Sequence, residues 1–515
     1  GLYNSKNCFN FSTCFTCLLY FRGSNRHFMN EQVRNLVPNP IWKNFADLNA
    51  VPRPSKQEAR VIAFMQEFGE KLNLETYTDE VGNVIIKKPA TPGMENRQTV
   101  VLQSHLDMVH QKNAETVFDF QTQGIDMYVD GDWVRARGTT LGADNGLGVA
   151  TIMAVLESTD LPHPAIEALF TIDEETGMTG AMNLQGGVLT GDILLNLDTE
   201  EDDEIDIGCA GGLDVTAQAV YNSEPTPEHS LAFKLIVRGL QGGHSGMDIH
   251  KGLGNANKIM NRLLFGGFDN FGLQIASIVG GSLRNAIPRE SVAHFVIAQL
   301  YDGAFQLDIQ EIIDDIKAEF ATTEPQLEIE LVPAELPETV MDVAAQEAVL
   351  RAIYAAHNGV YRMSADMPDL VETSNNIAKV TIENGQLSIQ CLTRSSVETS
   401  KYDLANALKS AFELAGCEVL FSGSYPGWKP KPESDIVQLL AKTYTDLFGS
   451  KPRVVACHAG LECGILGKNY PKMDMVSFGP TILGAHSPDE RASITSVQKF
   501  WKLFSTVLAN IPERK

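Results

Sequence analysis

The stretch "EALFTIDEETGM" (167–178) runs from apolar residues directly into three adjacent carboxylates, Asp173, Glu174 and Glu175, before Gly177 breaks the run. An acidic run of this kind is usually a solvated turn. Its position argues against that, because it follows a segment apolar enough to be a buried strand. Two more stretches have the same build. "QTVVLQSHLDMV" (98–109) ends in His105 and Asp107, and "GDILLNLD" (191–198) ends in Asp198. Between and before them, "NGLGVATIMAVLEST" (145–159) and residues 55–72 read as helices. Ser55 and Glu58 fit a capping box, and Val61, Met65, Phe68 and Leu72 share one face. Residues 73–90 read as a hairpin around Gly82-Asn83. Strands alternating with helices predict an α/β domain with a largely parallel sheet. Ligands bind such sheets at the carboxyl ends of the strands, where these polar residues gather.

At 515 residues the chain exceeds one ordinary core, so two or more domains are expected. Its 43% hydrophobic and 21% charged residues describe a folded globular protein. A formal net charge of -24, from 65 acidic against 41 basic residues, argues against nucleic acid and anionic membranes as partners. No apolar run is long enough to span a bilayer. Eight cysteines form neither a disulfide framework nor a zinc-finger pattern, which suits reduced thiols in a cytoplasmic protein. Three of them, Cys8, Cys14 and Cys17, lie in residues 1–28. That segment is set apart as an extension, with Met29 a candidate start.

After "GCAGG" (208–212) the texture changes to strands, turns and helices, which predicts a separate α+β domain inserted into the first. "SYPGWKPKPES" (424–434) marks the return. The expected organisation is a catalytic domain from 29–211 and 425–515, interrupted by a lid domain over 212–424.

His105 and Asp107, two apart at the end of a strand, suit an imidazole ligand whose other N–H is held by a carboxylate. Asp144 lies in the glycine-rich "GTTLGADNGLG" (138–148), where Gly142, Gly146 and Gly148 permit close backbone approach. It is a candidate to bridge two metal ions. On one extended segment Glu174 and Glu175 would point oppositely, so one can bind metal while the other faces the reacting water. Asp198 is a further ligand candidate, whereas Glu200, Glu201, Asp202, Asp203 and Glu204 read as a solvated loop. His486 in "GAHSPDE" is the last imidazole candidate. Nitrogen and oxygen donors without thiolates suit two borderline divalent ions.

"SHLDM", "GTTLGADNG", "DEETGM", "LLNLDTEE", "GGHSG", "SLRNAIPRE", "HAGLECG" and "GAHSPDE" occur in this order. Together they resemble the cytosolic aminoacyl-histidine dipeptidases, within the clan of co-catalytic zinc aminoacylases and carboxypeptidases. The likeness runs from about Pro40 to the C-terminus. It implies an α/β zinc-peptidase catalytic domain with an inserted α+β lid, two zinc ions per chain replaceable by cobalt or manganese, and a homodimer. His105, Asp144 and Asp198 would hold one zinc; Asp144, Glu175 and His486 the other. Glu174 would be the general base and Asp107 would orient His105. The Asp144–Asn145 peptide would be cis. His244 in the lid would donate a hydrogen bond to the developing oxyanion, while Asn285, Arg394 and the backbone near Gly460 would bind the substrate carboxylate. The implied reaction is hydrolysis of unblocked dipeptides, including Xaa-His. Rival readings are an N-acyl amino-acid deacylase, a tripeptidase, and a non-catalytic metal-stabilised binding protein.

Overall fold

The structure, a computed structural model, describes residues 30–515, so Cys8, Cys14, Cys17 and Met29 lie outside the described residues. The chain divides into two units. The first gathers residues 30–206 with Pro432–Val455 and Asn469–Lys515; the second is Ile207–Lys431 with Ala456–Lys468. Residues 456–468, read from the sequence together with the C-terminal part of the first domain, therefore pack with the second unit. Among the described residues no helix is long and apolar enough to cross a membrane. None of the described cysteines is in a disulfide.

An eight-stranded sheet is the centre of the first unit. Its middle strands Ile166–Thr171, Val100–His105, Ile193–Asn196 and Asp474–Ser477 run parallel. The sheet is mixed at its margins. The hairpin Glu75–Thr78/Val84–Lys88 is antiparallel on one side, and Glu204–Asp206 reverses direction beside Ser477 on the other. Ile166–Thr171, Val100–His105 and Ile193–Asn196 are buried along their whole length, as their largely apolar sequences require. A polar row crosses them near their carboxyl ends. Gln103 bonds Thr171 and Asn196, Ser477 donates to Asn196, and Thr199 links Ser477 to Asp206. These bonds satisfy the buried amides and hydroxyls and tie five strands in one register.

The helix Ala143–Glu157 is buried on nearly all sides, which explains its uniformly apolar composition. Its Gly148 lies against neighbouring chain. A Cβ there would stand 2.4 Å from Ser104 Oγ and 2.6 Å from the Leu197 carbonyl oxygen. A small four-stranded sheet joins Met127–Asp130, Trp133–Ala136, Arg491–Ser493 and Ile482–Leu483. The loop carrying His486 lies between the last two of these strands.

The second unit is a nine-stranded antiparallel sheet from residues 211–425. Helices Ala256–Phe271, Asp302–Glu319, Val343–Ala355 and Glu398–Leu414 contribute to one core with it, an α+β arrangement.

Gly148→Ala forces a methyl group into fully packed space, and such overpacking costs about 1–3 kcal/mol. A lowered midpoint in denaturant unfolding is expected; an unchanged midpoint would show that the helix can move away from the sheet.

Candidate metal centre and active site

Strand register brings the polar ends together. His105 pairs with Thr171, and Gln103 pairs with Asn196, so Asp198 falls level with His105. His105 Nε2 lies 3.2 Å from Asp144 Oδ1 and 3.6 Å from Asp198 Oδ1. The other oxygen of Asp144, Oδ2, is 3.1 Å from His486 Nε2, which is also 3.1 Å from Glu175 Oε2. One carboxylate thus faces two imidazoles, each with a second carboxylate beside it. His105, Asp144 and Asp198 form one group whose ligand atoms lie within 4.8 Å of one another; Asp144, Glu175 and His486 form another. His105, Glu174 and Glu175 form a third such group. Asp144 lies in non-helical backbone at the head of the buried helix, and its peptide bond to Asn145 is cis.

Asp107 does not share a strand with His105. The strand ends at His105, and a short loop brings Asp107 Oδ1 to 3.2 Å from His105 Nδ1. The same buried carboxylate accepts from the Ser55 hydroxyl at 2.7 Å and from the backbone N–H groups of Glu174 and Glu175 at 3.0 and 3.3 Å. The two glutamates are not on an extended segment either. Asp173 takes a left-handed φ of 52°, and Glu174–Gly177 forms a single helical turn. That bend sends both side chains toward His105. Asp173 faces elsewhere, bonded to Thr176 and Thr179 and 3.5 Å from Lys56 Nζ. Ser55 and Glu58 form no capping box. The helix begins at Ala59, because the Ser55 hydroxyl is held by Asp107, and Glu58 accepts from the N–H groups of Lys56 and Asp173.

The cluster carries more negative charge than its own cations balance. Burial pushes Asp198 up to about 7. Glu200, half-buried beside the cluster instead of fully solvated, is pushed up to about 9 by burial and then by the charges of Asp144 and Asp198. Asp202 and Asp203 are ion-paired to Lys499 and Arg453. Hydrogen bonds to Asp144 and Glu175 raise His486 to about 11. Burial pulls His105 down, but the charge of Asp198 and the bonds to Asp107 and Asp144 bring it well above its ordinary value. Burial would raise Asp107, yet His105 and Ser55 hold it at about 2. Protons therefore sit where carboxylates crowd, and divalent cations would displace them. Glu175 Oε1 supports that fit, being buried with no hydrogen-bond donor among the described residues. The donor set is imidazole and carboxylate, suited to zinc-like ions.

In the second unit, Gly243–His244 pairs with Ala286–Ile287, and Ser245 N–H donates to the Asn285 carbonyl. His244 Nδ1 accepts from the N–H groups of Gly246 and Met247, both at 3.0 Å, leaving Nε2 as the protonated nitrogen. Burial and then the nearby Arg394 lower the His244 pKa. Arg394 is buried and donates to Ser245 Oγ and Tyr425 Oη. The carbonyl of His458, two residues before Gly460, packs against Gly246. His244, Arg394 and the 458–460 segment are thus neighbours, and Asn285 is exposed beside them.

Arg53 and Glu490 escaped the sequence reading. Arg53 and Glu490 bind mainly backbone groups, which leave no side-chain pattern to read. For Glu490 the available signal was its place four residues after His486.

Residues 101–510 match the family model described as Peptidase family M20/M25/M40. The chain belongs to that peptidase family. This metallopeptidase is 43% identical over 484 residues to the cytosol non-specific dipeptidase of Escherichia coli, covering 94% of this chain and 100% of that protein. It is also similar to the aminoacylhistidine dipeptidase of Vibrio alginolyticus. That crystal structure superposes with a TM-score of 0.90 at 42% identity, over 94% of this chain and 99% of the other. Aminopeptidase PepT from Bacillus cereus, at 16% identity and a TM-score of 0.54, shares the fold. Membership in the family sets aside the non-catalytic reading.

Asp107→Asn replaces a buried acceptor of four donors with a group that must itself donate. Hydrogen bonds to a charged acceptor contribute about 1.5–3 kcal/mol, so amide exchange at Glu174 and Glu175 is expected to accelerate about tenfold or more. Unchanged exchange would detach the glutamate turn from Asp107.

Proposed function

We propose that this metallopeptidase is a two-zinc dipeptidase of the cytoplasm, acting on unblocked dipeptides that include Xaa-His. The observation that carries the reading is the division of Asp144 between two imidazoles, with Oδ1 toward His105 and Oδ2 toward His486. His105, Asp144 and Asp198 would hold one ion; Asp144, Glu175 and His486 the other. The names of the Escherichia coli and Vibrio alginolyticus relatives support the substrate class and, for the former, the compartment.

A cation pair supplies Lewis-acid polarisation of a carbonyl and makes water acidic enough to lose a proton near neutrality. The remaining work falls to the chain. Asp107 accepts the Nδ1 proton of His105, which leaves the Nε2 lone pair for ligation. Glu174 takes the proton of the attacking water and passes it to the leaving amine. Its backbone is held by Asp107, so the base is positioned before substrate arrives. Arg394 offers a buried guanidinium to the substrate's α-carboxylate, a charge-assisted pair that a blocked terminus cannot make. Asn285 and the Gly460 backbone would complete that contact. His244 would donate from Nε2 to the oxyanion; its neutral tautomer supports a donor role.

Glu174→Ala is expected to reduce kcat about 10²–10⁴-fold with two metals retained. Glu175→Ala is expected to lose one equivalent of metal by elemental analysis. Exchanged phenotypes would reverse the two roles, and full activity in both would refute the assignment.

Substrate length tests the specificity. Free dipeptides should be cleaved, while dipeptide amides, tripeptides and N-acetyl amino acids should be poor substrates. Equal cleavage of an Xaa-His dipeptide and its amide would refute the carboxylate clamp. Preference for tripeptides or N-acetyl amino acids would move the enzyme to a tripeptidase or deacylase.

A further inference from the structure

Glu490 is a carboxylate with no evident reason to be buried beside an acidic cluster. It is 2% exposed, and burial followed by the charge of Asp144 raises its pKa to about 7. Its bonds explain its presence. Oε1 accepts from the N–H groups of Leu141 and Gly142 at 2.8 and 3.0 Å, and Oε2 from the N–H of Asp144 at 3.1 Å. Pairing of Arg491–Ser493 with Trp133–Ala136 carries Glu490 to this loop.

Arg53, 1% exposed, holds the same loop from its carbonyl side. Nη2 donates to the Gly142 carbonyl at 2.8 Å and to Asn49 Oδ1 at 2.9 Å; Nη1 donates to the carbonyls of Leu106 and Asp107 at 3.1 and 3.4 Å. Gly142 is therefore gripped at both its N–H and its C=O. Its φ of 73° and the 2.6 Å that would separate a Cβ from Arg53 Nη2 leave room only for glycine. The two buried side chains hold the two peptide groups on either side of the Gly142 Cα.

We propose that Glu490 is a positioning residue for the metal centre: with Arg53 it locks the backbone of Leu141–Asp144 so that the two oxygens of Asp144 are aimed at both cation sites before metal arrives. The proposal rests on the reading of Asp144 as the shared ligand. Three converging N–H groups need two acceptor oxygens and no donor, which only a carboxylate side chain supplies. Glutamine would keep one acceptor and turn an NH₂ group toward the Asp144 N–H. Arg53 also binds the backbone that follows His105, so one guanidinium couples two ligand-bearing loops.

The test is zinc affinity, measured by chelator competition on metal-stripped wild type, Glu490→Gln and Asp132→Asn. Asp132 is the control, because its carboxylate accepts from Ser493 Oγ, Thr495 N–H and Thr495 Oγ1 in the adjoining segment without touching the cluster. Glu490→Gln is expected to bind zinc about 10–100-fold more weakly, the usual effect of losing a group that orients a ligand. Asp132→Asn is expected to lose thermal stability and keep wild-type zinc affinity. Zinc affinity of Glu490→Gln within about twofold of wild type, or an equal loss in both variants, overturns the proposal. Wild type that binds no zinc overturns the metal reading as well. Should Glu490→Gln not fold, amide exchange in metal-free wild type decides. Leu141, Gly142 and Asp144 are expected to exchange about 100-fold or more slower than unstructured amides, and exchange at the unstructured rate until zinc is added overturns the clamp.

Discussion

The two oxygens of Asp144 face two different imidazoles, and this division governs the first unit. It requires His105 and His486, 381 positions apart by subtraction of their numbers, to meet at one carboxylate. It also draws Asp198, Glu175 and Glu200 into a volume where carboxylates repel one another. Burial first, and then the charges of neighbouring carboxylates, raise the pKa values of Asp198 and Glu200, and cations relieve this more completely than protons do.

The surrounding chain tolerates so much acid through its backbone. Against burial, Asp107 is held low by His105, Ser55 and the N–H of Glu174, and it also accepts from the N–H of Glu175. Glu490 accepts from three backbone N–H groups, and Asp173 is turned aside by Thr176 and Thr179. The adjacent glutamates coexist because a left-handed residue bends the chain ahead of them and Asp107 caps the turn from below. Main-chain grip of this kind places side chains more tightly than ion pairs between flexible groups, whose net contribution is small when solvent reaches them.

The second unit follows a different electrostatic plan. Burial and then the charges of Arg394 and His244 depress His458 to about 3, so its imidazole stays neutral while Nε2 lies 2.7 Å from Ser374 Oγ. The buried Arg394 guanidinium donates to the hydroxyls of Ser245 and Tyr425. A buried cation solvated by neutral oxygens remains available to an anionic ligand.

The sequence by itself determined which segments were strands, because buried parallel strands must be continuously apolar, and it marked their polar ends as a site. His105, Glu174, Glu175 and Asp198 were legible there, each following such a run. Tertiary structure alone decided what holds them. The strand ends at His105 instead of reaching Asp107, Ser55 bonds Asp107 instead of capping a helix, and Glu200 is half-buried beside the cluster. Arg53 and Glu490 were silent in the sequence because their partners are chiefly backbone groups, which every residue carries. Only packing, which brings Glu490 to Leu141 across 349 positions, selects which of those identical groups a buried charge will meet.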